Sequence, residues 1–197
     1  MPLKTTTIGS YPKPTSTPIG DWFMAEKTEE ERKASSGLLE NWAPGNYEEA
    51  LAKAGESTED LFFSPTKEII LDQVEAGIDI PTDGEVRREN YIFYQCRRLN
   101  GVNFDNITHK TVRDGAFEAD LPTIDGPISL REPQLGVDWK FAQRFTENPV
   151  KITLPGPLTI ADSIANSYYD DPKKMGFDLA EALNKEVKAL ADAGCHY

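Results

Sequence analysis

The chain contains few cysteines and fewer positive than negative charges. Each shortage excludes certain classes of function. Its two cysteines, Cys96 and Cys195, lie far apart and match neither a disulfide framework nor a C-x-x-C metal or redox motif. The 21 Lys and Arg residues against 33 Asp and Glu residues give a formal net charge of -12. Nucleic acids and anionic membranes are themselves densely negative, so we expect a small molecule or another protein as the partner.

Long apolar runs and glycine-rich nucleotide motifs are also absent from the sequence. No apolar run approaches the roughly 18 residues that a membrane span needs, and the N-terminus lacks the apolar core of a secretory signal. There is no Walker-type loop, nucleophile elbow or dinucleotide fingerprint. Together with the low cysteine content, these absences predict a cytoplasmic protein without a membrane partner.

What the sequence does contain is a succession of helices and buried strands. A helix predicted to start at Ser64, with Pro65 in its first turn, ends at Gly77 and leads within two residues into a strand over 78–81. This order is half of a βαβ unit and favours a parallel sheet. Further predicted elements are an antiparallel excursion within 100–126, a weaker strand over 127–130, a helix over 138–145, a buried strand over 150–154 and a helix over 172–193 that ends at Gly194.

Three predicted strand ends carry residues suited to binding a small polar ligand. In parallel α/β folds, ligands sit on the loops after the carboxyl ends of strands. Gly9 would let the backbone approach a ligand, and Ser10 could donate its hydroxyl and amide protons to a carboxylate. Glu85 could accept hydrogen bonds from an ammonium group, and Thr159 could line a pocket after the third strand.

Each of these residues also has an ordinary structural interpretation. Gly9 could simply form a tight turn, and Arg87 or Arg88 could hold Glu85 in an internal ion pair. Thr159 could cap a helix that begins near residue 160, which is the favoured interpretation for this residue alone. Spacing leaves these alternatives open.

The sequence predicts no metal site in this chain. Cys195 and His196 are both zinc-ligand types, but neighbouring residues on a strand point to opposite faces. His109 and Cys96 belong to no cluster with ligand spacing.

Three motifs resemble a known family. They are Thr-Thr-Thr-Ile-Gly-Ser-Tyr-Pro over 5–12, Asp-Gly-Glu over 83–85 with Arg-Glu-Asn over 88–90, and Leu-Pro-Gly-Pro-Leu-Thr-Ile over 154–160. They resemble, in the same order, the catalytic domain of cobalamin-independent methionine synthase. The resemblance covers 5–160, and the helix up to Gly194 also fits.

The resemblance implies a fold and a set of ligand contacts. The family's catalytic domain is a TIM-type (β/α)8 barrel that binds zinc, activates the thiol of homocysteine and transfers a methyl group to its sulfur. Carried over by motif, Ile8, Gly9 and Ser10 would hold the carboxylate of this thiol amino acid, and Glu85 would bind its α-ammonium. Asp83 and Thr159 are further candidates for lining the pocket, not carried over from the family.

In the family, the zinc ligands come from the second half of the barrel. The resemblance therefore implies that residues 1–197 form one incomplete domain, the N-terminal half of a TIM-type barrel. The prolines after the first strand and the charged, interrupted stretch that follows them predict a long helical connection over 13–64. Zinc and its ligands would belong to the C-terminal half, in the same or a separate chain. This chain alone would hold no catalytic residue and would be inactive as a methyltransferase.

Two departures from the family pattern leave the methyl donor open. The family's Trp after the Gly-Pro-x-Thr turn is replaced over 161–163, and the Arg-Cys pair expected before Pro127 is missing. The donor is therefore folate or another molecule. The alternatives are a related zinc-thiolate enzyme, such as a thioether lyase or transferase, a barrel of the uroporphyrinogen decarboxylase type, and a non-catalytic small-molecule-binding fragment.

Overall fold

The protein is a mixed α/β structure with one three-stranded sheet, seen in a computed structural model that describes residues 3–14, 16–17, 57–112 and 117–197. In chain order the elements are α1 (Thr58–Glu75), α2 (Tyr91–Cys96), β1 (Leu99–Val112), β2 (Phe117–Leu130), α3 (Leu135–Gln143), α4 (Pro157–Ser163), β3 (Ala165–Asn166) and α5 (Pro172–Ala193). Within the described ranges, none of these helices has both the length and the apolar run that a membrane span needs.

Helix α1 begins earlier than its sequence predicts. Its N-cap is Ser57, whose hydroxyl accepts a hydrogen bond from the Asp60 amide, so the expected start at Ser64 is wrong. Pro65 lies inside the helix instead of in its first turn. Phe62 is fully buried, and its packing holds the two turns that precede the proline. The rest of the predicted connection over 13–64 falls largely outside the described residues.

Four chain segments lie side by side in chain order. The Ile80 amide donates to the Thr5 carbonyl at 3.0 Å, and the Lys151 amide donates to the Pro81 carbonyl at 2.8 Å. The Ile152 amide then donates to the carbonyl of Tyr197 at 3.2 Å. The predicted parallel pairing is confirmed for the first three segments, but as the single bridges Thr6–Ile80 and Thr82–Lys151.

The predicted antiparallel excursion is a long hairpin. Strands β1 and β2 pair from Leu99–Leu130 at the base onward, with two irregularities in register, and the weak strand over 127–130 is part of β2. The short strand β3 adds to β2 in parallel through the pair Thr123–Ala165. The largest buried cluster lies where the hairpin packs on helices α2, α4 and α5; its fully buried members include Ile92, Leu99, Leu121, Ile124, Ile160 and Leu179.

Helices α3 and α5 are joined by a buried carboxylate. Glu186 of α5 is fully buried and accepts hydrogen bonds from the Gln134 and Leu135 amides at 2.9 and 2.7 Å. These amides would otherwise be unsatisfied at the start of α3, which explains why α3 begins before the predicted residue 138. The bounds predicted for α5 are confirmed, including Gly194 as its left-handed C-cap.

Two glycines with the same left-handed backbone provide a test of the hairpin base. Gly101 and Gly77 both have φ +82°, but a Cβ at Gly101 would lie 2.5 Å from the Gly126 carbonyl oxygen, whereas one at Gly77 would meet nothing within 4 Å. We expect Gly77→Ala to cost about 1–2 kcal/mol of unfolding free energy from backbone strain alone. Gly101→Ala should cost a further ~1–3 kcal/mol for the clash. Equal losses in urea unfolding would contradict this packing of the hairpin base.

Candidate functional site

The first two predicted strand ends meet in the structure. A Cβ placed on Gly9 would lie 2.9 Å from Oε1 of Glu85 and 2.8 Å from Cγ2 of Thr153. Gly9 therefore leaves room for side chains from the second and third segments, which is a different use of glycine from the close ligand approach that the sequence suggests. Three loops that are distant in sequence converge at this point.

Thr82 links the first two loops through a hydrogen bond of its hydroxyl group. Its hydroxyl donates to the Gly9 carbonyl at 2.8 Å and accepts from the Gly84 amide at 3.1 Å. The Tyr11 amide also donates to the Gly84 carbonyl at 3.1 Å. Two hydrogen bonds, from the Thr82 hydroxyl to Gly9 and from the Tyr11 amide to Gly84, thus join the two strand ends, and Thr82 is fully buried.

Glu85 is held in an unusual backbone conformation. Its φ is 57°, directly after Gly84 at 65°, and among the described residues it is the one non-glycine with positive φ. A glutamate in this region carries a strain of roughly 1–2 kcal/mol. The turn persists because the Glu85 amide donates to Oδ1 of Asp83 at 3.2 Å and the Arg88 amide donates to the Glu85 carbonyl at 2.9 Å. A strained residue at a strand end is a common mark of a functional site.

Arg88 connects the second loop to the third segment. It is buried; its NH1 donates to both the carbonyl oxygen and Oγ1 of Thr153 at 2.9 Å, and its NH2 donates to Oδ2 of Asp83 at 3.1 Å. Burial alone would lower the pKa of Arg88, but the carboxylates of Asp83 and Glu85 outweigh it and raise this pKa above its ordinary value. Asp83, predicted to line the pocket, is buried as the ion-pair partner of Arg88.

These contacts bind only one of the two carboxylate oxygens of Glu85. Oε1 of Glu85 accepts the Thr153 hydroxyl at 2.7 Å and lies 4.0 Å from NH1 of Arg88, beyond hydrogen-bond distance. Among the described residues, Oε2 of Glu85 accepts no hydrogen bond. The glutamate side chain is 14 % exposed, so its free oxygen can reach a ligand without lying in bulk water.

A second buried cluster supports the same loop. NH1 of Arg87 donates to Oδ1 of Asp138 at 3.1 Å, and the Tyr94 hydroxyl donates to Oδ2 of Asp138 at 2.7 Å. The Arg87 guanidinium also stacks 4.0 Å above the ring of Phe141. Arg87 therefore faces α3 and does not compete for Glu85.

The neighbouring motif residues have local roles. Asn90 caps α2 by accepting hydrogen bonds from the Ile92 and Phe93 amides. Glu89 accepts a hydrogen bond from Nε of Arg97 at 2.7 Å. Burial raises the pKa of the Glu89 carboxyl above its ordinary value, although the contact with Arg97 acts in the opposite direction. Both residues fix the chain where it enters and leaves α2, directly after the Glu85 turn.

The remaining predicted ligand residues lie at the ends of the first and third segments. Ser10 is exposed beside Gly9, and the side chain of Ile8 is 91 % exposed. Thr159 does not cap α4, because this helix begins at Pro157 with Gly156 as its N-cap and without a capping side chain. The capping interpretation of Thr159 is therefore wrong, and its place in a pocket stays a prediction.

The residues described here do not fit a zinc site. In that part of the chain, no group of three or more His, Cys, Asp or Glu side chains could hold a metal ion. Burial raises the pKa of the Cys96 thiol, and partial burial raises that of Cys195, whose Sγ donates to the Tyr197 carbonyl. Raised thiol pKa values disfavour the thiolate form that binds metals. His109 lies on the hairpin surface between Asp120 and Glu118.

Sequence reasoning missed Thr82 and Thr153, although both lie beside its motifs. Thr82 directly precedes Asp83, and Thr153 directly precedes the motif over 154–160. The available signal was a hydroxyl residue at the carboxyl end of a predicted strand. Its partner could not be read from the chain, because Thr153 and Glu85 are 68 residues apart.

Comparison with known proteins gives one consistent family. The family model described as "Cobalamin-independent synthase, Catalytic domain" matches residues 3–197. A methionine synthase of Saccharolobus solfataricus is 34% identical over 98% of this chain and 50% of its own length, and one of Sulfolobus acidocaldarius is 33% identical over 98% and 49%. The chain thus spans about half the length of the curated relatives it matches.

A solved structure shows the same likeness in three dimensions. The B12-independent methionine synthase of Shewanella sp. W3-18-1, solved in complex with selenomethionine, superposes with a TM-score of 0.72 at 30% identity. The match covers 98% of this chain and 49% of that protein.

The role of Gly9 in this site can be tested by adding one methyl group. In Gly9→Ala, the Cβ would force Thr153 and Glu85 apart, and we expect a loss of about 1–3 kcal/mol in unfolding free energy. Gly176→Ala is the matched control, because a Cβ there meets nothing within 4 Å and the residue lies inside α5, where Ala is favoured by roughly 0.5–1 kcal/mol. Similar unfolding free energies for both variants would refute the close contact at Gly9.

Proposed function

Because this chain belongs to the cobalamin-independent synthase family, whose catalytic-domain model it matches over residues 3–197, we propose that it supplies the amino-acid-binding part of a thiol methyltransferase of the methionine synthase type. The acceptor in this proposal is homocysteine. The observation that carries it is the geometry of Glu85: a strained, partly buried carboxylate with one oxygen fixed and the other without a described partner.

The two ends of an α-amino acid fit the two sides of this site. The free oxygen of Glu85 accepts hydrogen bonds from the α-ammonium, and such charge-assisted bonds are stronger than neutral ones. The hydroxyl and amide of exposed Ser10, next to Gly9, donate to the α-carboxylate, with Ile8 at the same strand end. The Shewanella relative was solved with selenomethionine, which carries both groups.

Holding the substrate by its ammonium and carboxylate leaves its side chain free for chemistry. In the proposed reaction, a bond forms between the acceptor sulfur and the methyl carbon while the bond from this carbon to the donor breaks. The family resemblance implies zinc, but the described residues do not fit it, and we place its ligands outside this chain. This chain binds and orients the amino acid, and by itself it is inactive.

We further propose that the fold is the N-terminal half of a (β/α)8 barrel. Four segments lie side by side in chain order, with α1 between the first and second, α3 between the second and third, and α5 before the fourth. The curated relatives are about twice as long, which supports a second half as the partner. Leu3 and Ile8 of the first segment are 96 % and 91 % exposed, as expected of an edge that another part of the barrel covers.

Glu85 and Ser10 together form the proposed clamp for the two ends of the amino acid. Removing either contact should weaken the binding of L-methionine, the product of the proposed reaction, to the enzyme completed by its second half. Glu85→Gln and Ser10→Ala should each weaken binding by about 1–3 kcal/mol, because each leaves one end of the ligand without its partner. Calorimetric titration measures the change.

Glu68→Gln and Ser64→Ala are the controls, since both side chains are exposed on α1. They should bind L-methionine as the parent enzyme does. If the site variants bind as tightly as these controls, the proposed clamp is refuted.

A further inference from the structure

The Thr153 hydroxyl stands between the buried guanidinium and the proposed ammonium-binding carboxylate. Oγ1 lies 2.9 Å from NH1 of Arg88 and 2.7 Å from Oε1 of Glu85. A guanidinium has donors and no acceptor, so Oγ1 must accept from Arg88. The single hydroxyl proton of Thr153 is therefore donated to Glu85. The direction of both hydrogen bonds follows from the chemistry of the three groups.

We propose that Thr153 is a positioning residue that gives the site its selectivity for an α-ammonium group: it fixes one oxygen of Glu85 and keeps Arg88 from donating a hydrogen bond directly to the carboxylate. This inference rests on the proposed role of Glu85. It adds a residue that works through Glu85 and does not itself touch the ligand.

The distances show why a spacer is needed between the two charges. NH1 of Arg88 is 4.0 Å from Oε1 of Glu85, and this nitrogen already donates to both oxygens of Thr153. Without the hydroxyl, the guanidinium could close on Glu85 as a direct ion pair. A carboxylate paired in this way would have less attraction for a ligand cation.

The packing around Thr153 holds the hydroxyl in place. A β-branched side chain has few χ1 rotamers, and Cγ2 of Thr153 occupies the space that a side chain at residue 9 would need. The backbone of residue 153 is tied to Arg88 through its carbonyl oxygen. Serine would keep the hydroxyl but lose this methyl contact, and valine would keep the shape but lose the hydroxyl.

The test measures selectivity for the amino group in the completed enzyme. The probes are L-methionine and 4-(methylsulfanyl)butanoic acid, which lacks only the amino group, and the readout is the ratio of their dissociation constants. We expect Thr153→Val to reduce the preference for L-methionine by roughly tenfold, and Thr153→Ser to keep it within about threefold. In a Glu85→Gln background, Thr153→Val should change the ratio no further.

Each outcome separates this inference from the proposed function. The positioning role of Thr153 is overturned if Thr153→Val leaves the ratio of the two dissociation constants unchanged. It is also overturned if Thr153→Val lowers the preference for L-methionine as much in the Glu85→Gln background as in the parent enzyme. In both cases the clamp itself stands. A parent enzyme without preference for L-methionine, or a Glu85→Gln variant that keeps it, overturns both. If Thr153→Val fails to fold, Thr153→Ala removes the same hydroxyl and carries the same expectations.

Discussion

The buried guanidinium of Arg88 is the group on which the arrangement of the candidate site depends. It binds Asp83 in its own loop and both oxygens of Thr153 in the third segment, so one side chain joins two parts of the chain that are 65 residues apart. Breaking a buried ion pair typically costs about 3–5 kcal/mol, because the remaining charge has neither water nor a partner. Arg88 therefore requires both contacts, and they set the positions of the second and third loops.

The strain at Glu85 becomes understandable in this setting. The left-handed turn at Gly84 and Glu85 costs energy, but Asp83, Arg88 and Thr82 hold hydrogen bonds on both sides of it. The result is a carboxylate whose backbone and one oxygen are fixed before a ligand arrives. Such preorganisation reduces the entropy that binding would otherwise lose.

Sequence patterns predicted the elements whose signals are local. The bounds of α5 follow from its apolar spacing and from Gly194, and the meeting of Gly9 with Glu85 follows from the geometry of adjacent parallel strand ends. The predicted start of α1 is wrong because a proline two turns inside the helix is a weaker constraint than the burial of Phe62.

The contacts that build the site have no local signal. Glu186 sets the start of α3 from 51 residues away, and Thr153 reaches Glu85 only after three segments have paired. Arg88 could be foreseen as an ion-pair partner of Glu85, but its shorter contact is with Asp83. Which of two nearby carboxylates a buried arginine binds depends on the loop conformation, which the sequence does not display.

In the proposed clamp, Glu85 receives the ammonium group of an amino acid while Thr153 holds its other oxygen. A crystal structure of the completed enzyme with L-methionine bound would show both contacts. We expect the ligand nitrogen within about 3 Å of Oε2 of Glu85, with the Thr153 hydroxyl still on Oε1. An amino acid bound away from this strand end, or a Glu85 carboxylate turned fully onto Arg88, would contradict it.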